Sequence, residues 1–86
     1  MSSEWDIVWS KNVKSYYKKY SEKTRFQKVI LRLKENPLSG PNIKQLVGEL
    51  KGLYRYRLGN MRLIYKIDEK NKLIQLVYFG PRGSSY

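Results

Sequence analysis

The apolar residues of this chain change their period near its middle, and that change constrains the fold more than any other feature. Val13, Tyr16, Tyr17 and Tyr20 fall at i, i+3, i+4 and i+7, the spacing that lines one face of an α-helix, and Phe26, Val29, Ile30 and Leu33 repeat it. From Leu53 to Leu58 and again from Met61 to Ile67 the pattern alternates instead, the period of a strand covered on one face. Gly59-Asn60 separates these two runs, and glycine at the first place of a two-residue loop suits a type II′ hairpin turn. Ser10 and Ser21 stand ahead of the two helical stripes as N-caps, and Asn36-Pro37 stops the second helix near Glu35. Helices joined so closely form an antiparallel hairpin. Trp5-Asp6-Ile7-Val8-Trp9 reads as a short strand. Pro37 to Lys51 reads as a loop anchored by Ile43, Leu46 and Leu50. Leu73 to Phe79, apolar at nearly every position, reads as a central strand. The expectation is an α+β domain spanning residues 1–86: an N-terminal strand, then an antiparallel helical hairpin packed on one face of a mainly antiparallel four-stranded sheet, in the order β-α-α-β-β-β.

The chain has neither cysteine nor histidine. That excludes thiolate chemistry, the usual zinc ligands and the commonest acid–base group, and the seven carboxylates form no ligand-spaced cluster, so no metal or cofactor is expected. The acidic start Met1-Ser2-Ser3-Glu4-Trp5-Asp6 lacks the features of a signal peptide, and no segment has membrane-spanning length. A cytoplasmic protein with no membrane partner is therefore expected. Eighteen Lys and Arg against seven Asp and Glu leave a net charge of +11. So strong an excess draws polyanions, with nucleic acid the natural partner.

The hairpin localises that charge. With Gly59-Asn60 as the turn, Leu58 faces Met61, Arg57 faces Arg62, Tyr56 faces Leu63 and Arg55 faces Ile64. One face then carries Tyr54, Tyr56, Leu58, Met61, Leu63 and Tyr65, ready to pack on the helices; the other carries Arg55, Arg57, Arg62 and Lys66. Arg57 opposite Arg62 is a like-charge pair, which destabilises a sheet. Ordinary solvated surface mixes its signs, yet no acidic residue occurs between Leu53 and Ile67. A phosphate ligand accounts for this better, because the planar guanidinium grips phosphate with two bonds and stays charged. Beyond the last strand, Gly80-Pro81-Arg82-Gly83-Ser84-Ser85-Tyr86 places Arg82 where it can reach the same face. Tyr86 either trails as a tail or returns to the patch.

Several ordered segments resemble the RelE/ParE toxin superfamily: Leu46-x-Gly48-x-Leu50-x-Gly52-Leu53-Tyr54-Arg55, then Gly59-Asn60-Met61-Arg62-Leu63-Ile64-Tyr65-x-Ile67-Asp68, then Gly80-x-Arg82 and a late Tyr86, with Glu35-Asn36-Pro37 closing the helical hairpin. The resemblance covers nearly the whole chain. It implies a type II toxin that cuts mRNA in the ribosomal A site, so that ribosome and message are partners, and that is neutralised by a small acidic antitoxin. It implies catalytic roles for Arg55, Arg57, Arg62 and Arg82, with Tyr86 stacking on a substrate base; Lys51 and Lys66, basic residues near them in sequence, are expected to bind RNA. Pro81 stands where many relatives carry His or Lys, which disfavours the subfamily that works with a Glu-His pair.

Cleavage by the ribose 2′-oxygen needs a base, stabilisation of the phosphorane and an acid for the leaving oxygen. Arg62 and Arg82 can stabilise charge but cannot act as bases; Tyr86, Lys66, Lys51 and Glu49 remain candidates for that role. Two other readings stand beside the nuclease: a ParE-like inhibitor of DNA gyrase on the same scaffold, and a non-catalytic RNA-binding module.

Overall fold

The computed structural model describes residues 5–46, 48 and 52–81. Strand β1 (Asp6–Trp9) leads into helix α1 (Lys11–Lys19) and helix α2 (Lys23–Glu35), followed by β2 (Ile43–Gln45), β3 (Leu53–Leu58), β4 (Met61–Asp68) and β5 (Leu73–Pro81). The strands form one sheet in the order β1-β5-β4-β3-β2, antiparallel except where β1 runs parallel to β5. The central position of β5, between β1 and β4, explains its continuous apolar sequence. Among the described residues the sheet has five strands rather than the expected four. The extra one, β2, pairs Ile43, Lys44 and Gln45 with Tyr56, Arg55 and Tyr54 inside the segment read as loop. Three residues with one apolar side chain are too few to show a period.

The helices cover one face of the sheet. Val13 from α1, and Phe26, Val29 and Leu33 from α2, are buried against Leu58, Leu63, Tyr65, Ile74, Leu76 and Phe79. The Phe26 ring lies at the centre of an aromatic cluster, 4.7 Å from Phe79 and 5.2 Å from both Trp9 and Tyr17. Tyr16, Tyr17 and Tyr20 pack against this core, as their helical spacing indicates. Ser10 caps α1 by accepting from the Val13 amide at 3.2 Å. The N-cap of α2 is Glu22 rather than Ser21, and it makes no side-chain capping bond. The turn and pairing of the hairpin agree with the sequence: Gly59 has φ +62°, and Leu58↔Met61, Arg57↔Arg62, Tyr56↔Leu63 and Arg55↔Ile64 are the observed partners.

One irregularity reshapes the far face. β4 and β5 lose their simple register between Ile64 and Tyr65, which pair with Tyr78 and Leu76, so Val77 is an extra residue in β5. The bulge falls where β1 ends, and the start of α1 supplies the partners that β1 no longer provides. The Ser10 amide donates to the Leu76 carbonyl, the Ser10 hydroxyl to the Val77 carbonyl at 3.0 Å, and the Phe79 amide to Asn12 Oδ1 at 3.1 Å. No helix among the described residues is long and apolar enough to cross a membrane.

Candidate functional site

The face of the sheet turned away from the helices holds the basic residues. Arg57 and Arg62 are directly paired. The Arg57 amide points away from β4, donating to the Asn42 carbonyl at 2.9 Å. The two arginines therefore form a non-hydrogen-bonded pair, which brings cross-strand side chains closest, with Cα atoms about 4.5 Å apart. Arg55 shares their face two residues earlier, and its neighbour on β4 is Ile64. Ile64 is only 1% exposed although it lies outside the main core cluster. It forms an apolar floor between Arg55 on one side and Tyr78 on the other. The Nε atoms of Arg55 and Arg62 are shielded from solvent, so the stems of both side chains lie down on the sheet.

Two residues join this face that the sequence did not point to. Lys44 is paired with Arg55 and so shares its side of the sheet. Tyr78 is the more informative. Even-numbered residues Ile74 and Leu76 face the core, and simple alternation would send Tyr78 there as well. The bulge at Val77 turns it to the arginine face and gives its core position to Phe79. The Tyr78 phenol then leans along β5 and covers Gly80, where an added Cβ would fall on the phenol oxygen. Gly80 is the partner of Arg62. The phenol oxygen thus stands at the level of the Arg62 backbone on the neighbouring strand.

The other site residues read from the sequence divide into two groups. Lys66 is exposed on the same face, but it stands four residues along β4 from Arg62, about 13 Å by strand geometry, beside Asp68. It is not part of the compact group. Hydrogen bonds from the Asn71 side chain and amide hold the Asp68 carboxyl below its usual range, so this end of β4 keeps its own negative charge. Glu49, Lys51, Arg82 and Tyr86 lie outside the described residues. Among the described residues, no group of three His, Cys, Asp or Glu side chains could hold a metal.

Arg55 and Arg57 line a cleft of about 170 Å³ with Pro41, Asn42 and Ile43. A phosphate approaching here would meet positive charge from two arginines of β3, with Arg62 paired to one of them across the hairpin. The paired arginines on β3 and β4 can each offer two parallel N–H bonds to it.

The family model for the ParE toxin of the type II toxin–antitoxin system parDE matches residues 7–86. The chain belongs to the ParE toxin family. The toxin is similar to the archaeal RelE in the RelE–RelB complex from Pyrococcus horikoshii: 27% identity and a TM-score of 0.81, covering 95% of this chain and 99% of that one. Its fold is also that of the YoeB/ParE toxin from Agrobacterium tumefaciens, at 15% identity and TM-score 0.79 over 90% of this chain and 98% of that one. A RelE mutant from Escherichia coli in the free state shares it too, at 16% identity and TM-score 0.78 over 95% and 87%. No curated protein sequence matches the toxin. These likenesses place it in the RelE/ParE superfamily of toxins.

Proposed function

We propose that this toxin is an endoribonuclease that cuts mRNA on the ribosome and so inhibits translation in the cytoplasm. The observation that carries the reading is the Arg57–Arg62 pair: two arginines at directly facing positions of neighbouring strands, on a face whose hairpin strands have no acidic residue before Asp68. Facing like charges cost a sheet stability, and a bound phosphate offsets that cost.

In the proposed reaction the ribose 2′-oxygen attacks the adjacent phosphorus and the P–O5′ bond breaks. The 2′-hydroxyl proton passes to a base, and the departing 5′-oxygen takes up a proton. Arg57 and Arg62 stabilise the charge that grows on the phosphorane oxygens, and Arg55 holds the strand beside them. Tyr78 brings a hydroxyl to the level of Arg62 and can donate a hydrogen bond to the same phosphate. Arg82, which follows β5 directly, and Tyr86 complete the proposed site, with Tyr86 stacking on a base; Lys51 and Lys66 hold RNA at its margins. With no histidine in the chain, acid–base help is scarce, and rate depends on how the message is bent and aligned. The ribosomal A site supplies that alignment in this proposal. A small acidic antitoxin neutralises the toxin, in keeping with antitoxin complexes of RelE from P. horikoshii and YoeB from Staphylococcus aureus.

The match to a ParE family model favours a second reading, inhibition of DNA gyrase without nuclease chemistry. Cell-free translation with a defined message separates the two. Cleavage of the translated message, lost in Arg62→Gln, supports the nuclease. An intact message together with blocked gyrase supercoiling would replace that reading with the second.

A further inference from the structure

The arginine face does not end at the edge of β3. Because β2 starts only at Ile43, the edge of β3 beyond Tyr56 has no neighbouring strand among the described residues. The cleft of Arg55 and Arg57 shares Asn42 and Arg57 with a second, of about 300 Å³, whose walls include Arg25 and Lys28 of α2. The second cleft shares Arg25, Leu58 and Gly59 with a third, of about 320 Å³, that runs over the hairpin turn toward Tyr20. The three form one track that rounds the sheet edge from the arginine face to the helical side.

Its charge is one-sided. Arg55, Arg57, Lys28 and Arg25 follow one another along it, and among the described residues no acidic side chain lines the first two clefts. Glu22 enters at the far end, where its carboxylate lies 3.4 Å from Arg25 Nη1 in an exposed pair of little energetic weight. The turn glycine makes the crossing possible. The Arg25 guanidinium sits so close over Gly59 that an added Cβ would lie 3.2 Å from Nη2. Arg25 and Lys28 are three residues apart on α2, so they stand as neighbours on its surface.

We infer that this track is a second binding segment for RNA, which takes the phosphodiester backbone of the strand as it leaves the arginine face. The ligand assignment rests on the nuclease reading, since a strand held at Arg57 and Arg62 must continue past the site. Cations that can each meet a phosphate, continuous with that face, suit a polyanion chain. Energetically the segment adds affinity and salt dependence and touches no reacting atom.

The test uses the full-length toxin and a short RNA oligonucleotide carrying 2′-O-methyl groups, which attack by the 2′-oxygen cannot cut. Binding is therefore readable whether or not the toxin is a nuclease. Arg25→Ala/Lys28→Ala is compared with wild type and with Lys18→Ala/Lys19→Ala, which removes the same charge from exposed positions at the end of α1. If both side chains meet phosphates, the slope of log affinity against log salt becomes shallower by about 1.4, twice the single-strand value per contact, in the first variant and not in the control. Salt-washed ribosomes without message form a parallel arm. Loss of slope on the oligonucleotide supports the assignment to the strand that leaves the arginine face, and loss on ribosomes alone overturns it by giving the track to ribosomal RNA. Unchanged slopes on both, or an equal change in the control, overturn it. So does weakened binding of the acidic antitoxin with RNA binding intact, which would give the track to a protein. Should Arg25→Ala/Lys28→Ala lower the melting temperature, Arg25→Gln/Lys28→Gln, which keeps longer polar stems, is read in its place. Abolished message cleavage in the wild type would sink the nuclease reading alone, because the binding slopes do not depend on it.

Discussion

The Tyr78 phenol covers Gly80, and a methyl group at position 80 would occupy the place of its hydroxyl. No positive φ restricts Gly80, so alanine is unstrained there in its backbone and clashes only with the ring. Gly80→Ala is expected to cost about 1–3 kcal/mol by overpacking. Most of that cost should disappear when Tyr78 is also alanine. A double-mutant cycle by urea denaturation reads the coupling, and additive losses would show that the ring moves aside freely. In the cleavage assay Tyr78→Phe, which keeps the ring over Gly80 and removes the hydroxyl, should lower the rate if the hydroxyl meets the phosphate.

Arg62 lies at the closest approach to Arg57 and at the level of Tyr78. Arg62→Gln keeps much of the packed stem and removes the charge. Cleavage should fall by about 10²–10³-fold, the usual effect of losing one charge-stabilising donor. The melting temperature should hold or rise slightly, since a like-charge pair is relieved. A variant that melts clearly lower yet still cuts at the wild-type rate would mark Arg62 as structural. Arg62→Lys, which keeps charge without the planar fork, should be intermediate.

The register of the β3–β4 hairpin was legible because a two-residue turn leaves no freedom in pairing: once Gly59-Asn60 is the turn, Arg57 must face Arg62. The helical faces were legible for a similar reason, since Val13, Phe26, Val29 and Leu33 repeat the helical period and all are buried. Tyr78 was not. A bulge is a one-residue insertion that no period announces, and in a strand as uniformly apolar as β5 there is no alternation for it to interrupt. Lys44 was missed because β2 is three residues long, and the cap of α2 because both Ser21 and Glu22 can precede a helix. The basic track around the hairpin joins residues of α2, β3 and the turn that only tertiary structure brings together.

The bulge has its own support, which makes a stability prediction. Ser10 both caps α1 and donates to Val77, while Asn12 accepts from Phe79. Ser10→Ala is expected to cost about 1–2 kcal/mol through the lost cap and the lost carbonyl partner. Asn12→Ala leaves the Phe79 amide without its acceptor and should cost about 1–3 kcal/mol. If Tyr78 depends on the bulge, both variants also cut more slowly when assayed well below their melting temperatures. Normal cleavage by stable variants would separate Tyr78 from this support.

Tyr65 gives the toxin an alkaline limit. Its side chain is fully buried, and its hydroxyl donates to the Pro37 carbonyl at 2.7 Å, tying the end of the α2 connection to β4. Burial, assisted by neighbouring Tyr54, pushes the phenol well above its ordinary value of 10.0. The unfolded chain therefore releases this proton near pH 10 while the folded chain keeps it. Stability from Tyr65 is complete below pH 10 and declines as pH rises toward the folded value, by up to about 1.4 kcal/mol per pH unit. Tyr65→Phe loses the bond to Pro37 and should be about 1–3 kcal/mol less stable at pH 8, but it lacks this titration. The gap between wild type and variant in urea midpoints should narrow as pH passes from 9 to 11. A gap that stays constant over that range would mean that Tyr65 ionises alike in both states, and that its burial does not control the proton.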